Sequence, residues 1–316
     1  MDVITDLSGS PWPDERAVIT IGAYDGVHLG HQAVIAEVRR RASALGARSV
    51  VVTFDRHPAT VVRPESAPRQ LTDLPQKLEL LEATGVDATV VITFDEARSH
   101  EDPDDFVREV LVDCLRTKTV VVGEDFHFGY QRQGNVGRLR VLGEAHDFDV
   151  VPVELVARAD GVDEPVSSTA IRRALAGGEV SLAARMLGRQ FEARGVVVTG
   201  DQRGRLLGFP TANVQVPSLL AMPADGVYAG WYERPDGDEL HPCAINIGRR
   251  PTFYEHADHS LLEAHLIDFA GDLYGERARV RFVDFLRSER KFDGIDALIA
   301  QLKHDVEHAR SVLELR

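Results

Sequence analysis

The segment 22–32, GAYDGVHLGHQ, constrains this chain most, because it joins an apolar strand, 17–21, to a helix whose residues Val34, Ile35, Val38, Ala42 and Leu45 share one face. Gly46 supplies the stop. His28 and His31 therefore fall at or just before the helix start, where the first backbone N–H groups lack intrahelical partners and the helix dipole is positive. Such a place holds phosphate without a nearby lysine. Gly26 and Gly30 let the backbone come close to a ligand. Two imidazoles so spaced can donate hydrogen bonds to a pentavalent phosphorus and to a departing pyrophosphate, which is transition-state stabilisation rather than covalent catalysis. Taken without their surroundings, they read equally well as ordinary turn histidines.

Short β-branched runs recur through the first half at 17–21, 50–54, 88–94, 119–122 and 150–153, with helical stretches at 31–45, 75–83 and 103–115 between them. That alternation predicts βαβ units around a buried parallel sheet, a Rossmann-like α/β fold. Ligands of such sheets bind at the carboxyl ends of strands. GAYDGVHLGHQ, TFDRHP and VGEDFHFG all fall there. Further on, VSSTAIRRAL sets Ser167, Ser168, Thr169 and Arg172 at another helix start, where hydroxyls serve as caps. Facing a histidine pair, the same groups can grip β and γ phosphates.

From Phe191 onward the pattern changes to FEARGVVVTGD, GVYAGWYE, HPCAINIG, SLLEAHLIDF and RARVRFVDFL, separated by turn-rich segments and followed by a helix at 295–313. This predicts an antiparallel barrel or sandwich. We place the boundary near residue 187, after a short helix at 181–187, which gives domains 1–186 and 187–316. In GRLLGFPTANV, glycine and proline fix a tight loop, and Thr211 and Asn213 offer hard oxygen ligands suited to magnesium already held by phosphates. Alternation in SLLEAHLIDF sets Glu263 and His265 on one strand face, with Leu262, Ala264 and Leu266 on the other. A glutamate there is either solvated or a general base for a ligand hydroxyl.

The chain has 316 residues and a net charge of −14, and 44% of its residues are hydrophobic, enough for about two ordinary domains. Residues 1–186 carry 20 basic and 30 acidic side chains and residues 187–316 carry 16 and 20, so neither half suits a nucleic-acid backbone. Cys114 and Cys243 stand far apart without a CxxC, which leaves no disulfide framework or zinc site to expect. The acidic N-terminus lacks an apolar leader and no run approaches a membrane span, so a cytoplasmic location is expected. GxxxxGK[ST] and GxGxxG are both missing, which excludes a P-loop or protein-kinase type of phosphoryl transfer.

In order and spacing, GAYDGVHLGHQ, TFDRHP, PRQLTDLPQKLELLEATGVD, VGEDFHFG and SSTAIRRAL resemble the FMN adenylyltransferase module of the bacterial bifunctional riboflavin kinase and FAD synthetase family. GFPTAN, GVYAG, INIGRRPTF, EAHLIDFAGDLYG and LRSERKFDGIDALIAQLKHD resemble the riboflavin kinase module of that family. The resemblance implies a six-stranded antiparallel barrel with a C-terminal helix behind the Rossmann-like domain. It implies phosphorylation of riboflavin to FMN, then adenylylation of FMN to FAD with release of pyrophosphate, using ATP and Mg2+.

By the same resemblance His28 and His31 surround the reacting phosphates, and Gly22, Asp25, Gly30, Asp125, Ser168, Thr169 and Arg172 bind that ATP. Phe54, Phe126 and Phe128 are flavin walls or core residues. In the kinase module Gly204, Gly208, Pro210, Thr211 and Asn213 bind ATP, Thr211 and Asn213 also hold the metal, and Glu263 takes the proton from the ribityl 5′ hydroxyl. Arg287 and Arg290, in a charge run with Glu289 and Lys291, either cover the flavin or form a solvated face. Asp125 stands where the family carries Asn or Asp, His127 where arginine is common and Arg56 where proline is common. Arg249 and Arg250 replace more usual neutral residues.

Expected partners are riboflavin, FMN, FAD, ATP, ADP and pyrophosphate, with no nucleic acid or membrane, in a monomer or weak homo-oligomer. Three rivals stay open on the residues alone. Another nucleotidyltransferase shares the first-half motifs, a class I aminoacyl-tRNA synthetase lacks support without KMSKS, and a flavin-binding regulator would place no demand on a base.

Overall fold

The computed structural model describes residues 1–200, 203–235, 239–248 and 261–314. The chain divides into two compact units, Met1–Ser168 and Thr169–Arg316.

The first unit is built on six parallel strands: β1 (Asp2–Ile4), β2 (Ala17–Ile21), β3 (Arg48–Phe54), β4 (Ala88–Ile92), β5 (Thr117–Gly123) and β6 (Asp149–Val153), in spatial order β1-β4-β3-β2-β5-β6. Every residue of β2 and β4 is buried, as continuous β-branched runs covered on both faces require. The order reverses beside β2, so the turn after β2 opens at the switch point where parallel sheets receive ligands. Helices α1 (Leu29–Leu45) and α2 (Leu74–Ala83) follow β2 and β3. The Asp73 carboxylate caps α2 by accepting from the Gln76 N–H at 2.8 Å.

Two features depart from the sequence pattern. The stretch expected as one helix over 103–115 begins with the α-turn Pro103–Phe106 and continues as a π-helix, Val107–Cys114. Strand β1 was not expected, because three half-exposed residues carry no periodic signal; it pairs at the sheet edge, Asp2 with Ala88.

The second unit begins with helices α4 (Ser168–Ala176) and α5 (Val180–Leu187), numbered after α3 (Val136–His146) of the first. Six antiparallel strands then close a barrel: β7 (Phe191–Val198), β8 (Ala212–Gln215), β9 (Gly226–Glu233), β10 (Leu240–Gly248), β11 (Leu261–Leu266) and β12 (Arg277–Arg287), ordered β8-β11-β10-β9-β12-β7. The closed barrel is thus the one of the two antiparallel alternatives that forms. Tyr228, Tyr232 and Phe282 fill its interior. Cys114 and Cys243 are both buried thiols, one in each unit. Among the described residues, no helix is long and apolar enough to cross a membrane.

The last helix, α6 (Ile295–Val312), packs Ala309 and the following Leu313 against Ala229 and Ile267. A charged contact fixes its register. Asp305, 2% exposed, accepts from Arg287 Nε at 2.9 Å and Nη2 at 2.6 Å, and from Gln301 Nε2 at 2.6 Å. Removing one partner of a buried pair leaves the other charge uncompensated, so Asp305→Ala should destabilise the second unit by about 3 kcal/mol. Calorimetry should show that unit's midpoint falling by roughly 5–10 °C. An unchanged midpoint would show that the pair carries no net stability.

Candidate functional site

In the first unit, the turn after β2 is held in an unfavourable shape. Tyr24, Gly26 and Val27 take φ values of 49°, 83° and 38°, and for a β-branched valine the left-handed region costs about 1–3 kcal/mol. Many bonds enforce it. Gly22 donates to Val52 O at 3.0 Å, Gly26 donates to Thr72 Oγ1 at 3.2 Å, and the Tyr24 hydroxyl meets Thr20 Oγ1 at 2.6 Å. Asp25, expected near the nucleotide, is buried, and its Oδ1 accepts from Leu71 N at 2.8 Å and Thr72 N at 3.2 Å. It braces two loops.

His28 is the N-cap of α1, its Nδ1 accepting from the His31 N–H at 3.3 Å. An imidazole thus does the work usually given to serine or aspartate, and the helix begins at Leu29, two residues before the sequence pattern places it. When neutral, His28 carries its proton on Nε2. The two rings stack 3.6 Å apart at 18°, and His31 also leans on Tyr24 at 4.8 Å. Burial, then the nearby His28 and Lys77 charges, hold His31 well below the usual histidine range. It is a neutral hydrogen-bond donor at pH 7, and among the described residues its shielded Nδ1 has no partner. A Cβ on Gly30 would lie 3.1 Å from the His28 ring and 3.3 Å from Val166 O, so only glycine keeps both in place.

One expectation is corrected here: a lysine does lie beneath this turn. Lys77, on α2 and 6% exposed, donates to Ala23 O at 3.2 Å, Thr53 Oγ1 at 3.3 Å and Phe54 O at 2.7 Å. Its string, LPQKLELL, reads as an amphipathic helix with one lysine inside the apolar stripe, and that misplaced charge was the available signal.

The Ser168 hydroxyl, at the start of α4, donates to Asp25 O at 2.8 Å, and so joins the turn. Thr169, exposed, and Arg172, half-buried, belong to the second unit. Phe126 and Phe128 stack at 5.5 Å and Phe54 meets Phe94 edge-on at 5.2 Å; Phe54, Phe126 and Phe128, each half-buried, lean on the hydrophobic core. Asp125 is exposed beyond β5, and its carbonyl accepts from His127 Nδ1 at 2.7 Å. Arg56 pairs with Asp55 at 3.0 Å, and His57 Nδ1 accepts from the Ala59 N–H at 3.1 Å as a local cap.

The second unit holds a cavity of about 700 Å³. Gly204, Thr211, Asn213, Glu263, Arg287 and Arg290 all line it. Register explains the meeting: Asn213 on β8 and Asn246 on β10 flank Glu263 on β11, and all three line the cavity. Gly208 at φ 84° and the Phe209 N–H to Gly204 O bond, 2.8 Å, close the preceding turn. Pro210 offers its carbonyl to His265 Nδ1 at 2.7 Å, which tethers the PTAN loop to the Glu263 strand.

Asn246 was missed by sequence reasoning, although a lone amide inside the apolar run CAINIG signals a polar task. Arg287 spends its guanidinium on Asp305 while still lining the cavity, and Arg290 lies over Phe292 at 4.9 Å. Glu289, beside Asn246, is pushed up by desolvation and by the Asp225 and Glu263 charges. Arg249 and Arg250 lie outside the described residues.

Thr211 and Asn213 present neutral hard oxygens beside one carboxylate, and among the described residues no group of three or more His, Cys, Asp or Glu could hold a metal. That donor set fits a magnesium ion coordinated chiefly by phosphates and water.

Comparison with known proteins matches each half separately. Residues 10–170 match the FAD synthetase family and residues 187–313 match the riboflavin kinase family. Bifunctional riboflavin kinase/FMN adenylyltransferases from Listeria monocytogenes, Haemophilus influenzae and Pseudomonas fluorescens are 37%, 36% and 40% identical, covering 96%, 98% and 95% of this chain and 95%, 99% and 94% of theirs. A solved chain from Streptococcus pneumoniae, named a macrolide-efflux protein, superposes with a TM-score of 0.85 at 29% identity and covers 98% of each chain. With both halves matched in order and relatives covered end to end, the chain belongs to the bifunctional riboflavin kinase/FMN adenylyltransferase family.

Proposed function

We propose that this chain makes FAD in two ATP-dependent steps, phosphorylating riboflavin in the second module and adenylylating the resulting FMN in the first. We keep the functional boundary at residue 187, a reading supported by the riboflavin kinase match over residues 187–313. The observation that carries the reading is the register of Asn213, Glu263 and Asn246 around one cavity of the barrel.

In the kinase step the Glu263 carboxylate takes the proton of the ribityl 5′ hydroxyl as that oxygen attacks the γ phosphorus, and ADP leaves. The turn of Gly204, Gly208 and Pro210 shapes the ATP site. Thr211 and Asn213 would hold magnesium, which when bound would neutralise phosphate charge. Arg287 and Arg290 border the flavin side of the cavity.

In the adenylyl step an FMN phosphate oxygen attacks the α phosphorus and pyrophosphate leaves, so no base is needed. His28 and His31, as hydrogen-bond donors, stabilise charge on the phosphates. Gly22, Asp25, Gly30 and Ser168 keep the turn open to the nucleotide, with Asp125 and the Phe54, Phe126 and Phe128 rings toward the flavin.

With riboflavin, ATP and magnesium, chromatography should show FMN and then FAD. Neither product appearing would overturn the enzyme reading. Glu263→Gln should slow FMN formation by about 10²-fold to 10⁴-fold and leave conversion of added FMN to FAD unchanged. Loss of both activities in a folded variant would contradict two separate sites. Gly30→Val, which presses on the His28 ring, should do the reverse, with FAD formation falling about 10²-fold while FMN accumulates.

A further inference from the structure

We propose that Lys77 is a positioning residue for adenylyl transfer, its buried ammonium locking the turn after β2 onto the end of β3 and supplying positive potential beneath the reacting phosphates. The inference rests on reading the first unit as an adenylyltransferase.

The geometry is unusual for a lysine. Its three donors all go to neutral oxygens, Ala23 O, Thr53 Oγ1 and Phe54 O. Among the described residues it forms no ion pair, although Asp25 and Asp55 act on it at longer range. Those carboxylates are engaged elsewhere, Asp25 with Leu71 and Thr72, Asp55 with Arg56 and the Phe94 N–H at 2.9 Å. Burial alone is therefore scarcely offset, and it brings the ammonium down to about 8.

A tie between the turn and β3 does not require this charge. The Thr53 hydroxyl already donates to Ala23 O at 3.2 Å, and a neutral side chain could make the remaining bonds without the desolvation cost. What a neutral group cannot do is favour a polyanion. Lys77 sits at the carboxyl ends of β2 and β3 and is close enough to His31 to depress its basicity. The field that adds to burial and to His28 in lowering His31 attracts the triphosphate that displaces water above it, and a low-dielectric wall focuses that field outward.

The groups around Lys77 are Asp25, Asp55, Tyr24, His28 and His31. Burial drives Tyr24 above its ordinary range and His31 below its own, while hydrogen bonds lower Asp55. An alkaline limb near 8 therefore reports the lysine.

The test uses the full chain with FMN, ATP and magnesium. In the wild type, kcat/KM for ATP in FAD formation should fall as pH rises through about 8, because the ammonium of the free enzyme is lost there. Lys77→Gln keeps a donor and removes the charge, whereas Lys77→Met removes both. Each should lower kcat/KM for ATP by roughly tenfold to a hundredfold, chiefly through KM, and abolish the alkaline limb. Riboflavin phosphorylation by the same molecules should not change. Wild-type ATP kinetics in Lys77→Gln, or persistence of the limb in either variant, would reduce Lys77 to a structural tie and overturn the proposal. Should both variants fail to fold, a wild-type profile flat from pH 7 to 9 would overturn it equally. No FAD from the wild type at any pH would instead overturn the adenylyltransferase reading itself.

Discussion

The first module depends on one local hydrogen bond, the His31 N–H donated to the Nδ1 of His28. It satisfies an orphan donor at the start of α1, and it also fixes which nitrogen of His28 can donate outward. Stacking at 3.6 Å then makes the second ring follow the first. The residue that caps the helix is also the one to which the proposed adenylyl transfer assigns an outward donor, so that chemistry and local folding would share one side chain. The left-handed Tyr24 and Val27 are the cost of that coupling, and the bonds from Thr20, Val52 and Thr72 hold it.

The barrel reaches a comparable precision by register instead of strain. In antiparallel pairing, residues directly opposite stand about 5 Å apart, so a carboxylate flanked by amides on two neighbouring strands has its distances set by the backbone ladder. Asn213, Glu263 and Asn246 form such a row. A one-residue slip of β11 would turn Glu263 inward and bring Leu262 or Ala264 into the cavity. Closure of the barrel and the Arg287–Asp305 pair oppose that slip, which links the packing of the last helix to the placement of Glu263.

What the amino-acid order disclosed and what it withheld follow the range of the interactions. The β-branched runs, the helix face from Val34 to Leu45 and the alternation around Glu263 are local periodicities, and each forms as read. His28 as a cap was hidden because imidazole is rare in that role. The π-helix at Val107–Cys114 changes a hydrogen-bond step without changing composition, and the pairing of β1 rests on contacts 86 positions away, Asp2 with Ala88. The bracing by Asp25 was hidden for a related reason, since its carboxylate accepts from Leu71 and Thr72, far along the chain. Lys77 shares that long-range character, since its position beneath the turn follows from how α2 packs and not from its own neighbours.

A chain carrying a net charge of −14 must nonetheless attract polyphosphates in two places. Exposed lysines would do this poorly, because screening weakens them within about 8 Å at physiological ionic strength. Each module instead sets donors inside walls that exclude water. On the proposed functions, the histidine pair, backbone N–H groups and one buried ammonium would act at short range in the first, and in the second the neutral oxygens of Thr211 and Asn213 would leave the charge balance to a magnesium ion held by the nucleotide. The acidic surface then sets overall repulsion, and local low-dielectric geometry sets affinity. The two operate at different distances, which is why strong net acidity and phosphate chemistry coexist in one chain.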